Sequence, residues 1–284
     1  MTKQLKKMMA IAVLCSFALT GCGTENDVKT DTETQEVTEA VQAKEELNLK
    51  VPNPLAKKGD KILFVGNSHT YVNDLPQIFY EMTEAFGVEC DVYDLTDGGY
   101  YLEQFADVKD ELGAKLDEGL KANDWDFVIL QDNTNASASG NPEKDMIPYV
   151  EELDKKIKAA KGQTALFMTW APKNGISSGM FKLSREEIQE TIATSYEMAA
   201  EKIDGLLCPA GVALLKAAEQ YPEIELWDED GMHPSMAGSY LASCVIYAEL
   251  FQKSPEGCTY TADLGQDVAE KLQTIASEVV LKKS

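Results

Sequence analysis

From residue 61 onward, short apolar runs alternate with stretches whose apolar residues return every three or four positions. The runs are residues 61–65, 88–95, 126–130, 164–170 and, briefly, 206–208. Each is strand-length and flanked by turn-forming residues. Between the first two runs, Asn73 or Asp74 can cap a helix with Pro76 in its first turn. That helix reaches about Phe86, and Gly87 stops it. Ile188, Ile192, Tyr196, Ala199 and Ile203 keep one helical face, as do Leu241, Cys244, Val245 and Ala248. A last helix covers roughly residues 264–281. Strands separated by helices predict an α/β domain, a mostly parallel sheet with helices on both faces. In such sheets a site lies beyond the carboxyl ends of the strands.

The N-terminal residues do not share this pattern. Lys3, Lys6 and Lys7 precede an apolar run, residues 8–19, too short to span a bilayer comfortably. Residues 1–21 read as a secretory signal. Leu19-Thr20-Gly21-Cys22 resembles the lipobox of bacterial lipoproteins. That resemblance implies a diacylated Cys22 at the mature N-terminus and anchoring at the outer face of the cell membrane, at about 0.8 kcal/mol per buried methylene. Residues 22–56 are rich in Glu, Asp, Thr, Lys and Gln and hold no aromatic side chain. They bury too little to offset ordering entropy and are expected to form an acidic flexible tether. Residues 57–284 remain as a domain long enough for a real core.

The formal net charge is −22, and loss of the three signal lysines makes it more negative still. This excludes nucleic acid as a partner class and favours neutral glycans or small esters over polyanions. Cys90, Cys208, Cys244 and Cys258 show no C-x-x-C spacing and no neighbouring histidine, which argues against zinc. An oxidising compartment permits one disulfide among them, with the pair left open. Nucleotide-binding and metalloprotease motifs are absent, so no cofactor is implied.

The chain has two histidines, His69 and His233. Gly66-Asn67-Ser68-His69-Thr70 follows the first strand and precedes a helix, which places Ser68 where a substrate can reach it. Asp230-Gly231-Met232-His233-Pro234-Ser235 lies near the end of the domain. Pro234 keeps His233 out of helical geometry, and Ser235 can cap the next helix. A carboxylate three residues before a histidine in a turn can reach its Nδ1 and hold the tautomer. His69 has no carboxylate beside it and reads as lining rather than as the base.

These two blocks resemble the first and last blocks of the SGNH (GDSL-type) hydrolases, which carry a G-D-S-like nucleophile and a C-terminal D-x-x-H. The resemblance covers roughly residues 60–283. It implies a single three-layer α/β/α domain with a flavodoxin-like sheet, and a serine esterase whose triad is Ser68, Asp230 and His233. It also implies an oxyanion pocket built from a glycine amide and an asparagine side chain. The glycine is Gly99, with Gly98 as the other choice. The amide is Asn133 or Gln131, because Leu130-Gln131-Asp132-Asn133 departs from the family's usual G-x-N-D. The implied substrates are acetyl or other short acyl esters, on glycans. An acyltransferase using the same triad and a binding lipoprotein are the rival readings.

Gly175-Ile176-Ser177-Ser178-Gly179 also fits G-x-S-x-G, but lacks a strand directly before it and a helix directly after. Tyr71, Tyr100, Tyr101, Trp170 and Trp227 adjoin the expected site loops, where sugar rings could stack or where the side chains simply pack.

Overall fold

Period-two alternation in buried strands divides their side chains between two helical layers. In the computed structural model, which describes residues 47, 49–178 and 181–281, the first strand β1 is Lys61–Gly66. Ile62 and Phe64 point into one apolar layer, Leu63 and Val65 into the other. Beside it run β2 (Asp91–Thr96), β3 (Phe127–Leu130) and β4 (Gln163–Phe167). A hairpin follows, β5 (Ile176–Ser178) with β6 (Phe181–Leu183), and then β7 (Leu206–Cys208). The main sheet has the order β2-β1-β3-β4-β7, with every pairing parallel. Taken in chain order its strands run 2-1-3-4-5, the flavodoxin-like order, whose switch point lies between β1 and β3.

The helices are α1 (Ser68–Tyr71), α2 (Leu75–Ala85), α3 (Leu102–Ala106), α4 (Glu111–Ala122), α5 (Thr134–Ser137) and α6 (Pro142–Asp145). They continue with α7 (Ile147–Ala159), α8 (Arg185–Ile203), α9 (Ala210–Gln220), α10 (Met236–Phe251) and α11 (Gln266–Val280). One face of the sheet carries α2, α9, α10 and α11, and the other α3, α4, α7 and α8. The result is a three-layer α/β/α domain. α2 shows why: Leu75, Ile78, Phe79 and Met82 share one face at helical spacing and are all buried. Phe64, Phe127 and Phe167 are fully covered, each contributing about 1.5–3 kcal/mol by burial.

Some expectations shift. Asp74 sits at the N-cap position of α2, but neither it nor Asn73 caps with its side chain, because both adopt left-handed backbone there. Residues 49–56, read as the end of the tether, lie against the domain. The Ala56 N–H donates to the Leu250 carbonyl at 2.9 Å, the Asn53 N–H donates to Gln163 Oε1 at 3.0 Å, and Leu49 packs on both layers. Leu49, Pro52 and Ala56 give that stretch something to bury, which overall composition conceals. Cys90, Cys208, Cys244 and Cys258 are buried and free. The signal segment, Cys22 and residues 23–46 lie outside the described residues.

Candidate active site

The carboxyl end of β1 delivers Gly66-Asn67-Ser68 beside the start of the segment after β3. A Cβ on Gly66 would stand 2.4 Å from Gln131 Oε1 and 2.6 Å from Thr70 Oγ1, so only glycine fits. Asn67 is buried, and each of its polar atoms has a hydrogen-bond partner. Its N–H donates to Gln131 Oε1 at 2.8 Å, and its Nδ2 donates to the Tyr100 carbonyl at 2.9 Å. Its Oδ1 accepts from the His69 N–H at 3.1 Å and from Gln131 Nε2 at 3.0 Å. Ser68 opens α1 directly after this hub and remains half-buried.

The second half of the site is a closed turn between β7's helix α9 and α10. Trp227 and Pro234 form an antiparallel bridge, and the Asp228 N–H donates to the His233 carbonyl at 2.8 Å. Gly231, at φ 67°, takes the left-handed corner. Asp230 explains the spacing of three. Its Oδ1 accepts from the backbone N–H groups of Met232 (2.8 Å) and His233 (2.9 Å), while Oδ2 bonds the His233 ring at Nδ1, 2.5 Å away. The His233 hydrogen bond, helped by the two amides, lowers the Asp230 pKa to about 2. Ser235 caps α10 as expected, its Oγ accepting from the Gly238 N–H at 3.2 Å.

The two halves meet at 2.9 Å between Ser68 Oγ and His233 Nε2. The three residues singled out from sequence therefore form one hydrogen-bonded chain, with the carboxylate ionised and the imidazole facing the hydroxyl. His69 stands behind this chain rather than in it. Its ring centroid lies 5.1 Å from that of Trp170 and 5.7 Å from that of His233. Burial lowers its pKa to about 4, so it is neutral at pH 7 and adds no charge beside His233.

Gln131 and Asn133, the two candidate amides, are used differently. Gln131 is buried, and its Nε2 donates to Asn67 Oδ1 and, at 2.7 Å, to the Asp132 carbonyl. Both amide hydrogens are spent on the protein, which removes Gln131 as a free donor and makes it a brace under Ser68. Asn133 is half-buried; its Oδ1 accepts from the Asn135 N–H, and its Nδ2 donates to the Gly99 carbonyl at 3.0 Å. Asp132 joins the same two blocks, accepting at Oδ1 from the N–H groups of Leu102 (2.9 Å) and Asn133 (2.8 Å). Burial raises its pKa to about 7. Sequence reading missed both braces, although an acid and an amide ending a wholly apolar strand were the available signal.

The aromatic residues divide. Trp170 and Trp227 are buried and serve packing, with Trp170 Nε1 donating to the Met232 carbonyl and Trp227 Nε1 to that of Ala171. Tyr71 is exposed, and Tyr100 and Tyr101 are half-buried. Ser177 of the G-x-S-x-G match lies in the β5–β6 hairpin, not in a strand-to-helix turn.

No family model matches the chain, and no curated protein does. Solved structures do. A candidate SGNH hydrolase from Slackia heliotrinireducens is 27% identical, with TM-score 0.57 over 68% of this chain and 99% of that one. A DUF4886 family protein from Bacteroides uniformis is 18% identical, with TM-score 0.66 over 79% of this chain and 95% of that one. A candidate GDSL-like lipase from Parabacteroides merdae is 14% identical, with TM-score 0.54 over 73% of this chain and 100% of that one. The second and third likenesses bear on fold alone.

Proposed function

We infer, from a chain structurally homologous to the SGNH/GDSL-type hydrolases, a serine esterase that cleaves short acyl esters through a covalent acyl-enzyme. The observation that carries this reading is the Ser68–His233–Asp230 chain of hydrogen bonds at the carboxyl end of the sheet. His233 takes the proton from Ser68 as its Oγ attacks the ester carbonyl, and Asp230 stabilises the imidazolium that forms. The Ser68 and Gly99 amides and Asn133 Nδ2 receive the developing oxyanion. Gly98 is the weaker choice, because its N–H already donates to Asp97 Oδ1 at 2.7 Å. His233 then returns the proton to the leaving alcohol, and a water activated by the same ring releases the acid.

Acetyl groups on carbohydrate are the substrates this reading favours. The net charge of −22 disfavours anionic substrates. Tyr71, three residues from the nucleophile, offers an exposed ring for a sugar face. The lipobox-like Leu19-Thr20-Gly21-Cys22 supports placement of the enzyme at the outer face of the membrane, with the acidic N-terminal segment as its tether. Loss of fatty-acid labelling in Cys22→Ala tests that placement.

The deciding assay is hydrolysis of p-nitrophenyl acetate, longer aryl esters and acetylated oligosaccharides by the protein beside Ser68→Ala. The variant is expected to lose about 10⁴- to 10⁶-fold in kcat. Equal rates in both proteins would remove Ser68 from the mechanism. Product that forms only with an added sugar acceptor would make the protein an acyltransferase.

A further inference from the structure

His233 stands between the Met232 and Pro234 carbonyls, each held by a side chain from outside the turn. On one side, the Met232 carbonyl accepts from Trp170 Nε1 at 3.0 Å. On the other side, the Pro234 carbonyl accepts from Asn73 Nδ2 at 2.9 Å, across 161 positions of sequence. The same Nδ2 donates to Ser239 Oγ at 3.0 Å, and Ser239 Oγ donates to the Val72 carbonyl at 3.3 Å. Asn73 reaches this position only because its backbone is left-handed, at φ 60° and ψ 15°, with Asp74 left-handed after it. Two such residues in succession cost energy, and asparagine tolerates the conformation better than most. The turn aims the Asn73 amide at the histidine loop instead of leaving it to cap α2.

Asp230 sets the rotation of the His233 ring, but it belongs to the same exposed turn and cannot fix where that turn stands. That requires a contact from outside it. We propose that Asn73 is a positioning residue: by gripping the carbonyl next to His233 it sets the distance between base and nucleophile. The proposal rests on the reading of His233 as the base. Displacement of about 1 Å at such a pair can cost about 100-fold in rate.

The test uses Asn73→Gly, which keeps the left-handed backbone and removes the amide, and Asn73→Asp, which keeps the shape and sets an acceptor against a carbonyl. Two readouts are taken on the whole protein. One is kcat and KM with p-nitrophenyl acetate. The other is the low-field proton NMR signal of His233 Nδ1–H, readily assigned in a chain with two histidines. Both variants are expected to lose about 10- to 100-fold in kcat with KM nearly unchanged, and to broaden the His233 signal. Wild-type kcat and an unaltered signal would overturn the proposal. So would a fall in kcat with the signal intact, or loss of fold in both variants, which would make Asn73 a folding residue. A protein without esterase turnover whose His233 signal still broadens in both variants would sink the esterase reading and leave the clamp standing.

Discussion

At the nucleophile, Asn67 is 2% exposed, and four hydrogen bonds join its side chain and N–H to three other residues. At the base, the Asp230 side chain is 49% exposed and the His233 side chain 34%. The first half of the site is positioned by burial and by hydrogen-bonded polar groups reaching across β1, β2 and β3. The second is shaped by a short turn closed on itself and tied to the rest of the domain by few contacts, the Asn73 bond to the Pro234 carbonyl among them. Buried polar groups are costly to leave unpaired, whereas exposed ones exchange partners with water. Damage to the nucleophile half should therefore reduce both stability and rate, and damage to the base half should reduce rate alone.

The largest effect expected is on the base side. Asp230→Asn should lower kcat by about 10⁴-fold, since the wrong tautomer then faces Ser68. Its unfolding free energy from urea denaturation should stay within about 0.5 kcal/mol of wild type. A large loss of stability here would break the comparison. On the nucleophile side, Gln131→Met strands the Asn67 N–H and the Thr70 hydroxyl, which both donate to Gln131 Oε1 at 2.8 Å. It should cost about 2–4 kcal/mol by urea denaturation, with a loss of kcat besides. The smallest effect falls on Lys173, whose exposed pair with Glu225 is expected to be worth under about 0.5 kcal/mol. Lys173→Ala should leave activity intact, because the contact with Gly231 is made by the Lys173 backbone N–H.

Titration sharpens the same contrast between those extremes, because the buried half holds two groups with opposite behaviour. His69 falls from its usual 6.5 to about 4, so in that window the unfolded chain carries a proton that the fold lacks. Its contribution is full above pH 6.5 and is lost as pH falls toward 4. Asp132 rises from 3.8 to about 7, so the fold holds a proton that the unfolded chain has released. That contribution is full below pH 3.8 and is lost as pH rises through 7. Each slope is about 1.4 kcal/mol per pH unit, and the two oppose. Relative to wild type, His69→Phe should gain thermal stability as pH falls from 6.5 to 4, and Asp132→Asn should lose it. Parallel profiles for all three proteins would show that neither group titrates as its burial requires.

Much of the fold was legible because strands and long helices declare themselves by period. The five runs became the five strands of the main sheet, each shifted by a few residues at most. The β5–β6 hairpin was not seen: unlike the equally short but wholly apolar β7, Ile176–Ser178 and Phe181–Leu183 present no apolar run. Ser68, Asp230 and His233 were legible as types at a spacing, and the structure brings all three together. What sequence could not show is who holds them. Gln131 read as a possible oxyanion donor because its amide is the right chemistry; only its contacts reveal that both hydrogens are occupied. Asn73 read as a helix cap, and its long-range bond to Pro234 leaves no local signature.

The helix that follows the histidine loop has a wider consequence. Every residue from Ala237 to Phe251 in α10 is buried, so its amides should exchange with solvent only when the whole domain opens. His233 lies three residues ahead of that helix, tied to it through Pro234 and the Ser235 cap. Heat should therefore not melt the base away from an otherwise intact protein. At temperatures where unfolded chains do not refold, surviving activity then counts the molecules that have never unfolded, and the inactivation half-life reads the global unfolding rate.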